Sequence, residues 1–407
     1  MNSVTVNLVI IISCLLVHTV KSQPDDSVQK DLINIPRLIW KHSSNRPFFS
    51  SPVIKDDKII IGGDDSVFRA LDLLNGKPLW EVKTNGSIRS APLIINEMIY
   101  LNGGDGVLYI LNTDGKIIRK VKAGEEKKYD FADYHQSSPV FFENIIFFGL
   151  GDGFVYAVNS ENGDIKWKYQ TGSVVHSTPV IDNGRLFIGS FDGNVYALNI
   201  SDGSLLWKFK TVGHMYFPIG EVQGSPSLRE DLVYIGARDY NFYALDKEKG
   251  YCHWNKVFKK GWVLTSILND TVLYLEGADE RIISAVNPLT GKEYWKRDME
   301  FLMFGRPEFS KTMLYTGTTI GKLHAMNKLT GIEVWTFSTD GYKNNRLKYF
   351  NDDDSYRDDI YSIIRSNEHF LEVEMELGGI FSTPAISNGY LVIASTEGIV
   401  YCLKSME

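Results

Sequence analysis

A repeat of forty residues constrains the fold of this chain more than any other feature. The stretches FFGLGDGFVYAVNSENGDIKWKY (147–169) and FIGSFDGNVYALNISDGSLLWKF (187–209) share one skeleton, which recurs along most of the 407 residues. This period is that of a four-stranded propeller blade and is too long for an ankyrin or leucine-rich repeat. Seven units begin with a pair that ends in proline: Ser51-Pro52, Ala91-Pro92, Ser138-Pro139, Thr178-Pro179, Ser225-Pro226, Arg306-Pro307 and Thr383-Pro384. An eighth unit begins at Ser266 without the proline.

The first half of each unit is typical of a β-hairpin. Apolar and polar side chains alternate, with many β-branched and aromatic residues, as in residues 185–189 and 194–198. An Asp-Gly pair separates the two strands in several units: Asp105-Gly106, Asp152-Gly153 and Asp192-Gly193. Because Asp-Gly accepts the positive φ angles of a tight hairpin, we interpret these acidic residues as turn residues and not as metal ligands.

The second half of the unit carries a more specific pattern. A small residue is followed by Asp or Asn two positions on, Gly six on and Trp ten on, as in Ala197, Asn199, Gly203 and Trp207. Asp or Asn bonds the turn backbone, Gly takes its left-handed position, and Trp buries a large surface. We therefore interpret the tryptophans as structural docking residues; they are Trp80, Trp167, Trp207, Trp254, Trp295 and Trp335, with Trp40 before the first unit.

These offsets resemble the tryptophan-docking motif of the pyrroloquinoline-quinone-type (PQQ-like) β-propeller repeat, over residues 35–404. That superfamily includes quinoprotein dehydrogenases, secreted propellers and the propeller lipoprotein of the bacterial outer-membrane barrel-assembly machinery. The stretch GARDYNFYAL (236–245) is most similar to the secreted group. Repeat two departs from the motif, with Ile110 for the small residue and Arg119 for the Trp, so we expect blade two to dock more loosely.

The unit count predicts an all-β, closed eight-bladed propeller of four-stranded antiparallel blades. The last unit, residues 382–404, supplies three strands and ends without a Trp strand. The segment around Trp40 supplies a Trp strand without the beginning of a unit. Joining the two completes the eighth blade and removes the exposed sheet edges of an open array.

The residues before the propeller are typical of an export signal. The apolar stretch Val4–Val20 and small or medium residues at Val20 and Ser22 predict a signal peptide over 1–22, cleaved before Gln23, and a flexible segment over 23–34. The alternative is a lipoprotein anchored at Cys14, and we favour a periplasmic or secreted protein without a transmembrane segment. The two remaining cysteines, Cys252 and Cys402, are interpreted as buried structural thiols.

Three enlarged links between blades point to a binding face. Four strands per blade place all inter-blade links on one face, which the Asp-Gly turns share. The enlarged links are 123–136, 211–224 and 339–381. Within an insertion over 338–381 we predict a short helix capped by Ser355 and then a strand over Leu371–Leu377. Residues 339–377 hold ten acidic and five basic residues, which predicts a local acidic field.

Polar and aromatic residues just before each first strand are candidates for a ligand or partner site at the mouth of the central channel. An ordinary hydrated channel mouth is the alternative. His135 and His176 lack a third ligand for a metal pair, so no metal site is predicted. The candidates, with two aromatic residues of the second insertion, are Arg89, His135, Gln136, His176, Tyr216, Phe217, Gln223, Trp262 and Arg306.

Function is expected to be binding and not catalysis. The net charge of −7 and the absence of a basic run argue against nucleic acid as a partner. Quinoprotein dehydrogenases carry adjacent cysteines and a calcium cluster, and neither is readable here. The sequence therefore predicts a monomeric, non-catalytic scaffold propeller with no cofactor, which holds a protein or small ligand on the face of the insertions. The main alternative is an oxidoreductase for alcohols or sugars that uses PQQ with calcium, and a polysaccharide-binding module and a hydrolase are further alternatives.

Overall fold

Eight four-stranded antiparallel sheets make up most of the computed structural model, which describes residues 29–406. The predicted signal peptide and Cys14 lie outside the described residues. The first strand in the chain is β1 (Arg37–Ser43). Blades one to four then contain β2 (Val53–Lys55), β3 (Lys58–Gly62), β4 (Val67–Asp72), β5 (Pro78–Lys83), β6 (Leu93–Ile95), β7 (Met98–Asn102), β8 (Val107–Asn112), β9 (Ile117–Lys122), β10 (Val140–Phe142), β11 (Ile145–Gly149), β12 (Phe154–Asn159), β13 (Ile165–Gln170), β14 (Val180–Asp182), β15 (Arg185–Gly189), β16 (Asn194–Asn199) and β17 (Leu205–Lys210).

The second half of the ring follows the same order. Its strands are β18 (Ser227–Arg229), β19 (Leu232–Gly236), β20 (Asn241–Asp246), β21 (Cys252–Val257), β22 (Val263–Asn269), β23 (Val272–Gly277), β24 (Ile282–Val286), β25 (Glu293–Asp298), β26 (Glu308–Phe309), β27 (Met313–Gly317), β28 (Lys322–Asn327), β29 (Glu333–Ser338), β30 (Ala385–Ser387), β31 (Tyr390–Ala394) and β32 (Ile399–Lys404). In blade six, β22 begins earlier than the other first strands and pairs with β23 from Val263. This blade lacks the proline, whose missing N–H limits strand pairing elsewhere.

The N-terminal strand closes the ring, as the sequence predicted. β1 pairs antiparallel with β32, and the eighth sheet has the order β1-β32-β31-β30. Trp40 lies opposite Cys402, so the buried cysteine takes the place of the small residue in the other units.

The small residue and the Trp of each motif face one another across the third and fourth strands. Ala197 lies opposite Trp207, and the register shifts directly after this pair. The indole Nε1 of Trp207 then donates to the carbonyl of Lys247 in the next blade at 3.0 Å. Six of the seven Trp rings also cover a glycine of the following blade, and a Cβ atom on Gly203, for example, would lie 2.6 Å from the ring of Trp167. The motif is therefore a joint between neighbouring blades.

Blade two uses a different joint. Arg119 occupies the Trp position opposite Ile110. Its guanidinium donates to the carbonyl of Glu161 at 3.1 Å, and its aliphatic stem lies against Gly163. The arginine thus replaces both the indole N–H and part of the apolar surface, while looser docking of this blade stays a prediction.

The described part of the predicted flexible segment, residues 29–34, contacts blade seven. Leu32 is fully buried, and its carbonyl accepts from Trp335 Nε1 at 2.6 Å. Asp31 accepts from the hydroxyls of Ser310 and Thr312, each at 2.6 Å. This segment therefore supplies the docking turn of blade eight.

The residues before the prolines form a relay of hydrogen bonds around the channel. In each step a backbone N–H donates to the hydroxyl of the equivalent residue one blade further on. The steps are Thr383 to Ser51, Ala91 to Ser138, Ser138 to Thr178 and Thr178 to Ser225, at 2.9 to 3.0 Å. Ser and Thr are thus preferred before the proline because their hydroxyls accept a hydrogen bond from the neighbouring blade.

The third insertion is helical, and two predictions for it were wrong. It contains α1 (Asp340–Asn345), a 3-10 helix (Arg346–Lys348), α2 (Ile360–Ile363) and α3 (Asn367–Glu376). Residues 371–377, predicted as a strand, belong largely to α3, whose cap is the Ser366 side chain. Ser355 does not cap a helix, because α2 begins after Asp359 without a side-chain cap.

Two further observations concern cysteines and membrane spans. Both described cysteines are free; Cys402 is buried but Cys252 is exposed, so its prediction as a buried thiol was wrong. Cys252 lies at the start of an outer strand, where side chains are largely solvated. Within residues 29–406, no helix combines the length and apolar character needed to cross a membrane.

Candidate functional site

The three enlarged links lie on one face, which we call the insertion face. The first link contacts the Asp-Gly turn of blade three, where the Gly151 N–H donates to Glu126 at 2.8 Å. The second contacts the equivalent turn of blade five, where the Gly213 N–H donates to Asp239 at 3.3 Å. Inter-blade links and Asp-Gly turns therefore share a face, as expected for four-stranded blades.

The first link, residues 123–136, closes the mouth of the central channel, and we call it the plug loop. Its Tyr134 stacks on Phe49 of blade one, with ring centroids 5.4 Å apart. The same ring lies 5.6 Å from Phe304 and 4.7 Å from Phe381, which precede blades seven and eight. Because Tyr134 precedes blade three and its partners precede blades one, seven and eight, side chains from opposite parts of the propeller meet at the centre of the face.

His176 anchors the plug loop through two carboxylates. Its Nε2 lies 2.6 Å from Oε1 of Glu126, and its Nδ1 lies 2.8 Å from Oδ2 of Asp133. Burial alone would lower the pKa of His176, but these two carboxylates raise it to about 10. Burial opposes ionisation of Asp133, yet the His176 charge and hydrogen bonds hold its pKa below the usual value. His176 is thus a buried cation between two anions and has no nitrogen left for a metal.

Arg238 anchors the opposite side of the plug loop, and sequence reasoning missed it as a site residue. This buried guanidinium pairs with Asp130 of the loop and donates to Gln223 Oε1 at 2.7 and 3.0 Å. It also lies 4.1 Å from the ring centroid of Trp262 and 4.9 Å from that of Phe191. The sequence feature that could have identified Arg238 is a charged residue at a turn position where the preceding repeat has the apolar Phe191.

The candidates Arg89, Gln136 and Gln223 also hold the plug loop. Arg89 makes two hydrogen bonds to Asp64, at 2.6 and 2.8 Å, and stacks over Phe49 at 4.6 Å. Its backbone N–H donates to Gln136 Oε1 at 2.9 Å. Gln223 donates to the carbonyl of Ala132 at 3.3 Å. These polar groups therefore contact the chain's own loop.

Arg306 and His135 lie deeper, around the channel. The Arg306 guanidinium reaches past blade six and donates to the carbonyl of Ser225 at 2.8 Å. Burial lowers its pKa to about 10. Burial also lowers the pKa of His135, whose ring bonds to the backbone of Phe304. Arg306 thus joins blade seven to blade five at Ser225, where the series of N–H to hydroxyl hydrogen bonds between blades ends.

The second link, residues 211–224, presents apolar side chains to solvent, and we call it the aromatic loop. Val212, Met215 and Tyr216 are 73%, 80% and 69% exposed. Phe217 instead packs edge-on against Trp262, with ring centroids 5.3 Å apart. Of the two aromatic candidates in this loop, Tyr216 is accessible and Phe217 is packed against the propeller.

The third insertion is packed and largely charge-paired. Phe370 and Val373 of α3 and Leu377, which directly follows the helix, pack into one apolar cluster, and Leu371 and Met375 contact the central aromatic cluster. Several acidic residues of the insertion form ion pairs, so the acidic field is weaker than the composition predicted. The pairs are Asp340 with Lys41, Asp354 with Lys322 and Arg346, Asp359 with Arg357, and Glu376 with Lys348.

A family model described as outer membrane protein assembly factor BamB matches residues 36–128, 113–260 and 217–407. The chain belongs to this family of PQQ-like propellers. The matched ranges run from the closing strand β1 to the last residue, so the whole ring takes part in the match.

Solved structures with the same architecture include a BamB, a quinohemoprotein alcohol dehydrogenase and a designed protein. BamB from Moraxella catarrhalis is similar with a TM-score of 0.66 and 14% identity, covering 91% of this chain and all (100%) of that one. A quinohemoprotein alcohol dehydrogenase from Comamonas testosteroni gives a TM-score of 0.69 and 13% identity, covering 93% and 78%. A computationally designed protein, Ika8, is similar with a TM-score of 0.68 and 14% identity, and the match covers 91% of this chain and 99% of the designed one. These likenesses show the fold.

Part of the sequence is also similar to the quinoprotein alcohol dehydrogenase PedH of Pseudomonas putida. The two are 30% identical over 135 residues, which is 30% of this chain and 22% of the dehydrogenase. The chain thus spans a minor part of that enzyme's length.

The residues at the channel mouth do not fit PQQ with calcium. Tyr134 and its aromatic neighbours fill the centre of the face, and Arg238 lies over the Trp262 ring. Cys252 and Cys402 are not the adjacent pair of quinoprotein dehydrogenases. Among residues 29–406, no group of three or more His, Cys, Asp or Glu side chains is arranged to hold a metal ion.

Proposed function

We propose that this family member is a non-catalytic binding propeller that holds a protein partner on the insertion face. The observation that supports it most is the exposure of Val212, Met215 and Tyr216. Exposed clusters of large apolar side chains on a polar surface are typical of interaction sites, and aromatic residues often dominate interface energies. The name of the matching family, an assembly factor, agrees with this role.

The geometry of the channel mouth favours a surface-binding role over an enclosed site. His176 and Arg238 fix the plug loop from opposite sides, and the central aromatic cluster occupies the volume where an enclosed ligand would sit. The aromatic loop borders this closed mouth, and its Met215 and Tyr216 stay exposed although the Tyr216 ring lies 5.5 Å from that of His214. A partner is therefore expected to contact the rim of the mouth.

We infer an exported location from the apolar stretch Val4–Val20 and the medium and small residues Val20 and Ser22. Cleavage before Gln23 leaves a mature chain that retains β1. N-terminal sequencing of the protein from its own host tests this inference. The expected sequence begins at Gln23, whereas a lipid-modified Cys14 would support the lipoprotein alternative.

Partner recovery tests the proposed binding face. Met215→Ala with Tyr216→Ala should abolish recovery of the partner from the native host after crosslinking, while the circular-dichroism spectrum stays that of the wild type. Matched substitutions of the exposed lysines Lys77, Lys116 and Lys292 on the opposite face should have no effect. Loss of the partner in the lysine variant alone would place the site on the other face.

A quinone-dependent oxidoreductase is the second candidate, supported by the partial match to PedH. Incubation of the mature protein with PQQ and calcium tests it. We expect no quinone to be retained through gel filtration, because the central cluster around Tyr134 leaves no space at the mouth. Stoichiometric retention with dye-linked alcohol oxidation would support the oxidoreductase instead.

A further inference from the structure

We propose that a cationic cleft beside the aromatic loop binds an acidic segment of the partner protein. This inference rests on the proposed function and specifies the chemistry of the partner. The cleft has a volume of about 410 Å³ and lies between residues 258–262 and the turn at 278–281. It is lined by Lys259, Lys260, Asp279, Glu280 and Arg281.

The walls of the cleft are held by backbone contacts. The Ala278 N–H donates to the carbonyl of Trp262 at 3.0 Å, and the Asp279 carboxylate accepts from the Trp262 N–H. Gly261 adopts a φ of +69°, and a Cβ atom there would overlap with Asp279. The link and the turn are therefore fixed against each other, and the cleft is formed before a partner arrives.

Among the described residues, three cations of the cleft form no ion pair within 4.0 Å, although Arg281 interacts electrostatically with Asp279. Glu280 is occupied by the Lys259 backbone N–H at 2.8 Å and by Lys296 at 3.4 Å. Arg281 donates to the carbonyl of Glu300 at 3.4 Å and to the Tyr356 hydroxyl, and it stacks on Phe301 at 4.8 Å. Within residues 29–406, no carboxylate oxygen lies within 4.0 Å of the side-chain nitrogens of Lys259, Lys260 or Arg281.

Three largely buried cations on the same face are paired. Arg89 pairs with Asp64, Arg238 with Asp130, and Lys322 with both Glu300 and Asp354. Lys259, Lys260 and Arg281 thus place three cations beside one another, next to the carboxylates of Asp279 and Glu280, in a chain whose net charge is −7. Such a local field attracts an acidic group and repels a basic one.

Tyr240 connects the cleft to the aromatic loop. Its ring stacks on His214 with centroids 4.0 Å apart, and its hydroxyl accepts from the Gly261 N–H. The exposed Met215 and Tyr216 directly follow His214. Apolar and cationic surface are thus continuous, which complements a chain segment that carries carboxylates beside apolar side chains.

Binding of synthetic peptides to the full mature chain tests the inference. One labelled peptide of about twelve residues alternates Glu with Phe and Leu, and its match carries Lys in place of Glu. Fluorescence anisotropy at about 50 and about 300 mM salt should show binding of the acidic peptide only, weaker at the higher salt. Equal binding of both peptides, binding of neither, or equally tight binding of a polyuronate would overturn the inference.

Charge-reversal variants locate the site. Lys259→Glu with Lys260→Glu should weaken binding of the acidic peptide by about tenfold or more and create binding of the lysine peptide. Both lysines are exposed, and a thermal melt checks the fold; Arg281→Gln provides an independent variant. Lys77→Glu with Lys116→Glu on the opposite face is the control and should change nothing. An unchanged affinity in the cleft variants would contradict the proposed site.

The outcome can be separated from that for the proposed function. Suppose that Met215→Ala with Tyr216→Ala abolishes recovery of the native partner but charge reversal in the cleft does not. This result would support the proposed binding face and contradict the proposal that the partner binds through an acidic segment. If neither pair of substitutions affects recovery, both proposals fail.

Discussion

At the scale of single residues, each docking tryptophan joins two blades. Trp207 is 8% exposed, faces Ala197 within its own blade and bonds to the next blade through Lys247. Trp207→Ala removes this buried surface and leaves the Lys247 carbonyl without its partner, so we expect a loss of about 3–5 kcal/mol in the free energy of unfolding. Chemical denaturation measures it. Leu206→Ala in the same strand is the control, and an equal loss there would contradict a specific role for Trp207.

Glu374 makes stability depend on pH. Burial raises its pKa from 4.5 to about 8. Between these values the unfolded chain has lost the Glu374 proton while the folded chain keeps it, so the free energy of unfolding falls as the pH rises. Glu374→Gln should flatten this dependence and stabilise the protein by roughly 1–3 kcal/mol above neutral pH.

Urea denaturation between about pH 5 and about pH 9 measures this effect. Glu372→Gln, an exposed position on the same helix, is the matched control and should leave the pH profile unchanged. Identical profiles for the wild type and Glu374→Gln would show that Glu374 ionises normally in the folded protein.

At the scale of elements, the plug loop depends on the buried contacts of His176. Removing its imidazolium leaves Glu126 and Asp133 as buried anions without a cation. His176→Ala should therefore cost about 3–5 kcal/mol and speed hydrogen exchange in residues 123–136. His135→Ala, with no such ion pairs, should affect exchange in this loop much less. Unchanged slow exchange of the plug loop in the His176 variant would show that other contacts are sufficient to hold the loop in place.

The closing strand β1 is the second element whose removal is informative. A chain that begins at residue 43 loses Trp40 and the strand that pairs with β32. It should aggregate and melt well below the chain that begins at residue 23, because an edge of the eighth blade is exposed. Equal melting temperatures would rule out closure by this strand.

The elements differ in how far sequence predicts them. Blades were predictable because the same strand and turn pattern recurs and because Trp40 and the last unit complement one another. Helix α3 was misread because it is buried on two sides, so Leu371, Val373 and Met375 look like one face of a strand. The plug loop was not predictable, since its Asp130 meets Arg238 only in the folded ring.

At the scale of the whole molecule, an even number of strands per blade determines where binding is expected. It puts all three enlarged links on the insertion face. Two of them, the plug loop and the third insertion, are packed over the channel mouth, and the aromatic loop exposes three consecutive or nearly consecutive apolar side chains, Val212, Met215 and Tyr216. The sequence predicted this face, but the use of Arg89, His176 and Gln223 to hold the plug loop required the fold.

Site-specific photo-crosslinking in the native host tests the binding face most directly. A photoreactive amino acid at Tyr216 should yield one discrete crosslinked protein, and the same amino acid at Lys77 on the opposite face should yield none. Because the Tyr216 side chain is 69% exposed, its replacement should leave the fold of the propeller intact. Crosslinks from Lys77 with none from Tyr216 would show that the partner binds the other face.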